Sequence, residues 1–230
     1  MHDLATRQKD RKRDGGETQH KTLSQIVATI EDGILFGTLR PREHLVEDAL
    51  IARFGVKRHV VRQALAELEG LGIVVRSPNK GATVRDFSVR EIEEVYEIRE
   101  VLQARAAERM PLPAAPQVIA ELIDIQGQHD AAAAERNLRR ISQINDRFHS
   151  VFYAACGNTH LASAINYYFY LMRAMRLYPI ADPTILANAQ EEHWAMIRAV
   201  ETRDRKTLID LCVRHIQPSK RAYLMTQSWT

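Results

Sequence analysis

The chain has 230 residues, 45% of them hydrophobic and 27% charged, with a formal net charge of +3. This balance suits a protein of one or two domains with full cores. No apolar run nears the length of a membrane span, and the polar, basic N-terminus has no apolar h-region, which argues against anchoring or secretion and for the cytoplasm.

Residues 1–21 carry six Lys or Arg against four Asp or Glu, with Lys9, Arg11, Lys12 and Arg13 nearly adjacent. They read as a disordered basic arm, either touching an anionic surface or simply solvated. From Thr22 the pattern changes. Leu23, Ile26, Val27, Ile30 and Ile34 mark a first helix that ends near Gly37, before Pro41. A second covers residues 46–54, turns Leu50, Ile51 and Phe54 inward and stops at Gly55. A third starts near Lys57 and carries Val61, Ala64, Leu65 and Leu68 on its apolar face. Ile73, Val74 and Val75, then Thr83 and Val84 beyond a turn at residues 77–81, form a hairpin. Three helices and a hairpin over residues 22–86 make a winged helix-turn-helix.

Arg58 and Arg62 lie four apart at the start of the third helix, off its apolar face, so both guanidiniums can enter a major groove together. Lys57 and His59 flank them, and Lys80 and Gly81 stand at the hairpin tip. The plain alternative is a solvated helix with two incidental arginines.

The stretch FGVKRHVVRQALAELEGLGIVVRSPNKGATV resembles the N-terminal DNA-binding domain of the GntR superfamily of bacterial transcription regulators. The resemblance implies that Arg58 and Arg62 contact the groove and that Gly81 and its neighbours form the wing tip. Lys57, His59 and Val60 stand where Ser, Thr and Pro are usual, and Gln63 replaces Glu, so the operator read differs accordingly.

After Asp86 the pattern is helical. Ser88 and Glu91 have capping-box spacing and open a helix to about Met110, which Pro111, Pro113 and Pro116 then break. Further helices are expected near residues 117–132, 134–156, 160–178, 184–202 and 204–217, with Pro218 interrupting the last. Cys156 and Cys212, lacking Cys-x-x-Cys spacing, read as small buried apolar residues.

Within these helices His149 sits at the edge of the stripe Ile141, Ile144, Phe148, Val151, Phe152, Ala155, and Asn145 lies one turn earlier on the same side. His193 falls in line with Ala189, Met196, Ile197 and Val200. His215 falls in line with Leu208, Leu211, Cys212 and Ile216. A lone histidine of this kind is usually a hydrogen-bonded core residue. Three of them need three sets of partners, whereas one divalent cation satisfies all together. Arg99 shares the inward face of Ile92, Val95, Tyr96, Leu102 and Ala106, and its charge needs an anion there. That anion is either a structural carboxylate or a ligand.

An all-helical domain over residues 87–230 with these histidines, and with YEIREVLQARAA as its first helix, is similar to the FCD ligand-binding domain of the FadR subfamily of GntR regulators. The resemblance implies a metal, commonly zinc, nickel or manganese, held by Asn145, His149, His193 and His215, with Asn145 standing where Asp is usual. Asp146 faces about 100 degrees away and is the poorer substitute. It also implies a small carboxylate effector at Arg99, although Gln103 replaces a usual Glu. The expected protein is a homodimeric regulator, a repressor on a palindromic operator and not an enzyme. The rival is a metal-dependent hydrolase built on the three histidines. It needs a general base, and Glu192, beside His193, is expected to project to another face.

Overall fold

The computed structural model describes residues 22–77, 81–173, 175–176 and 181–227. The basic arm of residues 1–21 and Lys80 lie outside the described residues. Thr22 opens α1 (Leu23–Leu35) with a capping box: its hydroxyl accepts from the Gln25 amide, and the Gln25 side chain accepts from the Thr22 amide at 2.8 Å. Both bonds satisfy amides that a helix start leaves orphaned. α1 buries Ile26, Val27, Ile30 and Ile34. α2 (Glu47–Phe54) ends at Gly55, whose φ of +67° suits a residue without a Cβ, and α3 (Arg58–Gly70) follows with Val61, Ala64, Leu65 and Leu68 inward.

The hairpin forms as β2 (Val74–Ser77) and β3 (Gly81–Val84), with Val74 opposite Val84. A further strand, β1 (His44–Leu45), pairs with β3 on its other edge, giving the antiparallel order β1-β3-β2. Two residues are too short to show alternation, which is why this strand has no sequence signal. Each fully buried Ile, Leu or Val of this core contributes about 1.5–3 kcal/mol. With its apolar side seated on α1 and the sheet, α3 presents its opposite side outward.

The C-terminal two thirds is all helix among the described residues. α4 (Val89–Arg109) opens with the expected capping box between Ser88 and Glu91. α5 (Pro116–Ala134), α6 (Leu138–Ala154), α7 (Thr159–Leu171), α8 (Pro183–Glu201), α9 (Arg205–Arg214) and α10 (Gln217–Gln227) follow. The helix expected over residues 204–217 ends at Arg214, and Pro218 does not interrupt it but lies in the first turn of α10, where a missing amide proton costs no helical bond. The α4 carboxyl end is capped from a distance: Arg205 donates to the carbonyls of Ala107, Glu108 and Met110.

α5 packs on α6 and α8, α9 on α4 and α8, and α7 on α4 and α6. Phe148, Phe152, Met196, Val200, Leu208 and Cys212 fill the shared interior. Cys156 and Cys212 are both buried and free, as their spacing predicts. No helix among the described residues is long and apolar enough to cross a membrane.

Candidate metal centre and nucleic-acid interface

α3 carries Arg58 and Arg62 outward, each with about half of its side chain exposed. Lys57, at the N-cap, and His59 are exposed beside them. The two guanidiniums are gathered by α2: Arg58 donates to Glu47 at 3.1 Å and to Asp48 at 2.6 Å, and Arg62 Nε donates to both Glu47 oxygens at 3.0 and 3.1 Å. Glu47 therefore sits between the arginines and holds them side by side. Gly81 is buried at the start of β3, with φ of +84°, where a Cβ would strike the Leu45 carbonyl oxygen of β1. Its requirement is for backbone conformation and close approach.

His149 on α6, His193 on α8 and His215 after α9 converge through their Nε2 atoms. His193 Nε2 lies 3.2 Å from His215 Nε2, which lies 3.3 Å from His149 Nε2. The far sides of two rings are committed. Gln126 Nε2 donates to Asp130 at 2.8 Å, so its Oε1 faces His193 Nδ1, 2.8 Å away, and accepts that proton. Asp130 is itself anchored by Gln190 and Trp194. His215 Nδ1 donates to the Glu192 carboxylate at 2.7 Å. Neutral rings with Nδ1 protonated turn bare Nε2 lone pairs toward one another, the form that a cation binds. Burial, with the neighbouring imidazoles, holds His193 and His149 well below the ordinary histidine pKa, which favours neutral rings.

This donor set fits a divalent cation. Four-coordinate metal–imidazole bonds of about 2.0–2.1 Å put the ligating nitrogens about 3.3 Å apart, which matches the two pairs that meet at His215, and all three ligand atoms lie within 4.8 Å of one another. Asn145 lies one turn before His149 and lines the same cavity, of about 90 Å³, with Arg99, His129, Arg176 and the triad's His149 and His215.

Arg99 is 2% exposed, its Nε and Nη1 have no hydrogen-bond partner, and the guanidinium stacks over Tyr96 at 4.7 Å. Gln103 Oε1, one turn on, is also buried without a partner. Asp146, set aside as a ligand, is buried and accepts from Arg176 at 3.3 Å. Glu192 corrects the expectation that it projects elsewhere. It lines the cavity and reaches His215 because α8 and α9 pack together, and contacts with His215 and Arg214 hold its carboxyl below the usual range against the opposing effect of burial. Sequence reasoning also missed Gln126 and His129 on α5, both buried. Their signal was present, since they share the helical face of Leu122, Ile125 and Ala132.

Comparison with known proteins places these two parts in one lineage. Residues 22–84 match the model of the bacterial regulatory proteins of the gntR family, and residues 94–218 match the FCD domain. A relative from Agrobacterium vitis, an HTH-type transcriptional regulator in the TAR-I ttuE-ttuC' intergenic region, is 30% identical over 135 residues, covering 57% of this chain and 79% of its own. The gluconate operon transcriptional repressor of Bacillus licheniformis is 24% identical, covering 80% and 78%. Among solved structures, Escherichia coli McbR/YncC superposes with a TM-score of 0.68 at 20% identity, over 89% of this chain and 98% of that one, a likeness of fold. A gntR-type winged helix-turn-helix followed by an FCD helical domain makes this chain a transcriptional regulator of the GntR family.

Proposed function

We propose that the chain is a repressor acting as a homodimer in the cytoplasm, with residues 22–86 reading a palindromic operator and residues 87–230 binding effector and partner subunit. Two-fold pairing matches two reading heads to two half-sites. Lys57, Arg58, His59 and Arg62 form the groove-facing set, completed at the wing by Lys80 and Gly81. A repressor role agrees with the gluconate operon relative.

The effector domain is proposed to hold a divalent cation, zinc, nickel or manganese, on His149, His193 and His215, with the Asn145 amide oxygen as a neutral fourth donor. The observation that carries this reading is the pair of Nε2 atoms 3.2 Å apart, each ring turning its Nδ1 to an oxygen acceptor on the opposite side. When bound, the cation supplies positive charge that attracts an effector carboxylate. Arg99 then binds the same effector, since its buried, partnerless Nε and Nη1 need an anion. Effector binding favours one arrangement of the dimer over another and so changes the spacing of the heads.

Metal analysis of protein purified without chelator tests the centre. About one equivalent per chain is expected in the wild type and background in His193→Ala; background in both overturns it. Operator binding is tested by selecting DNA from a random pool, with a palindrome as the expected result and no enrichment as the contrary one. The hydrolase reading lacks a free base, because the Glu192 carboxylate nearest the triad is engaged with His215 and Arg214, and the relatives are transcriptional regulators.

A further inference from the structure

We infer that four charged side chains, Arg176, Asp146, Arg173 and Glu31, form an ion-pair relay that couples the helical cavity to the DNA-reading head. For the roles of its two ends the inference rests on the function proposed above. Arg176 lines the cavity and stacks over Phe169 at 3.4 Å. Its Nη1 and Nη2 both donate to Asp146 Oδ1 at 3.3 Å. The other Asp146 oxygen pairs with Arg173 Nη1 at 3.3 Å. Arg173 Nε in turn pairs with Glu31 Oε1 on α1 at 3.4 Å, at an angle that makes an ion pair and not a hydrogen bond. A second bridge from the reading head, Asp32 to Arg139 of α6, spans 3.3 Å.

The relay differs from ordinary surface ion pairs. Its four side chains are only 9–20% exposed, so water screens them weakly. It alternates in sign and sums to zero. Burial pushes the Glu31 carboxyl up and the Arg176 guanidinium down, so each terminal charge is poorly hydrated and leans on its ion-pair partner. The two inner members, Asp146 and Arg173, are each shared between opposite neighbours.

Sharing makes the contacts competitive. An anion that enters the cavity and draws on Arg176 leaves Asp146 held by Arg173 alone; Arg173 then moves its charge from Glu31 toward Asp146, and α1 loses one tether to the effector domain. Asp146 also lies on α6 between Asn145 and His149, so a cation drawing in those two side chains acts on the same helix turn. Couplings of this kind typically change affinity by about 5- to 150-fold.

The test uses the full chain and reads amide hydrogen exchange over α1, with wild type, Glu31→Gln, Asp146→Asn and the double variant compared free of metal. Each single variant is expected to exchange about fivefold faster, and the double no faster than the quicker single. Asp146→Asn at the wild-type rate, or two effects that multiply, overturns the relay. Should Asp146→Asn lose its helical circular dichroism, Arg173→Gln takes its place with the same two readings. In a second arm Zn²⁺ is the probe. Zinc that binds by calorimetry and alters α1 exchange in the wild type, but not in Asp146→Asn, supports the relay. Zinc that binds without altering α1 overturns it. Failure of zinc to bind overturns the metal centre proposed above, and the metal-free variants then decide the relay by themselves.

Discussion

His193 and His215 meet Nε2 to Nε2 at 3.2 Å, with each ring's other nitrogen donating to an oxygen, of Gln126 and of Glu192 respectively. Neutral rings in that orientation turn both Nε2 lone pairs toward one point, where a cation would be coordinated by the two together.

The tautomer of His193 therefore depends on Gln126. Gln126→Leu removes the acceptor and releases the proton to either nitrogen, so zinc affinity is expected to fall about 10- to 100-fold. Competition against a chromophoric chelator measures it. Unchanged affinity contradicts the orienting role.

Arg58→Ala and Arg62→Ala are each expected to cost about 1–3 kcal/mol per base contact and to relax sequence preference, read by titrating selected and scrambled duplexes. Asp48→Asn acts in the opposite sense on weak sites. In the unbound protein Asp48 occupies one arm of the Arg58 fork, and freeing it raises affinity for scrambled DNA and narrows the ratio to the selected operator. An unchanged ratio rejects the competition.

Gly81→Ala forces an L residue into φ of +84° and drives its methyl into the Leu45 carbonyl. The left-handed conformation costs about 1–2 kcal/mol, and the clash adds to it. A thermal midpoint lowered by roughly 4 °C or more is expected from a total of about 2 kcal/mol in a chain of this size. A midpoint within a degree of wild type removes the argument from close approach.

Burial pushes the Cys212 thiol up to about 12. The reactive thiolate is then about one part in ten thousand at pH 8, and raising the pH to 9 leaves it rare. Maleimide labelling at Cys212 is expected to stay silent in the folded protein at both values and to follow unfolding in denaturant. Rapid labelling under native conditions contradicts a sealed interior.

Much of this molecule is legible locally. The stripe through Val61, Leu65 and Leu68 orients α3 and so puts Arg58 and Arg62 outside. The stripes around His149 and His193 put those imidazoles inside, and the one around His215 leaves its ring partly buried beside them. The capping boxes at Thr22 and Ser88 form as their spacing predicts. β1 left no trace because two residues carry no period, and its place follows from the β3 edge it pairs with.

By itself, then, the amino-acid order determined which side chains face inward, since helical period is a property of neighbours on one element. Only the tertiary structure decided what those side chains meet. Glu192 reaches His215, Gln126 holds His193, and Asp146 is claimed by Arg173 and Arg176 because of how α5 to α9 dock. Docking angle and axial offset between helices arise from the summed packing of many side chains, which no single element records.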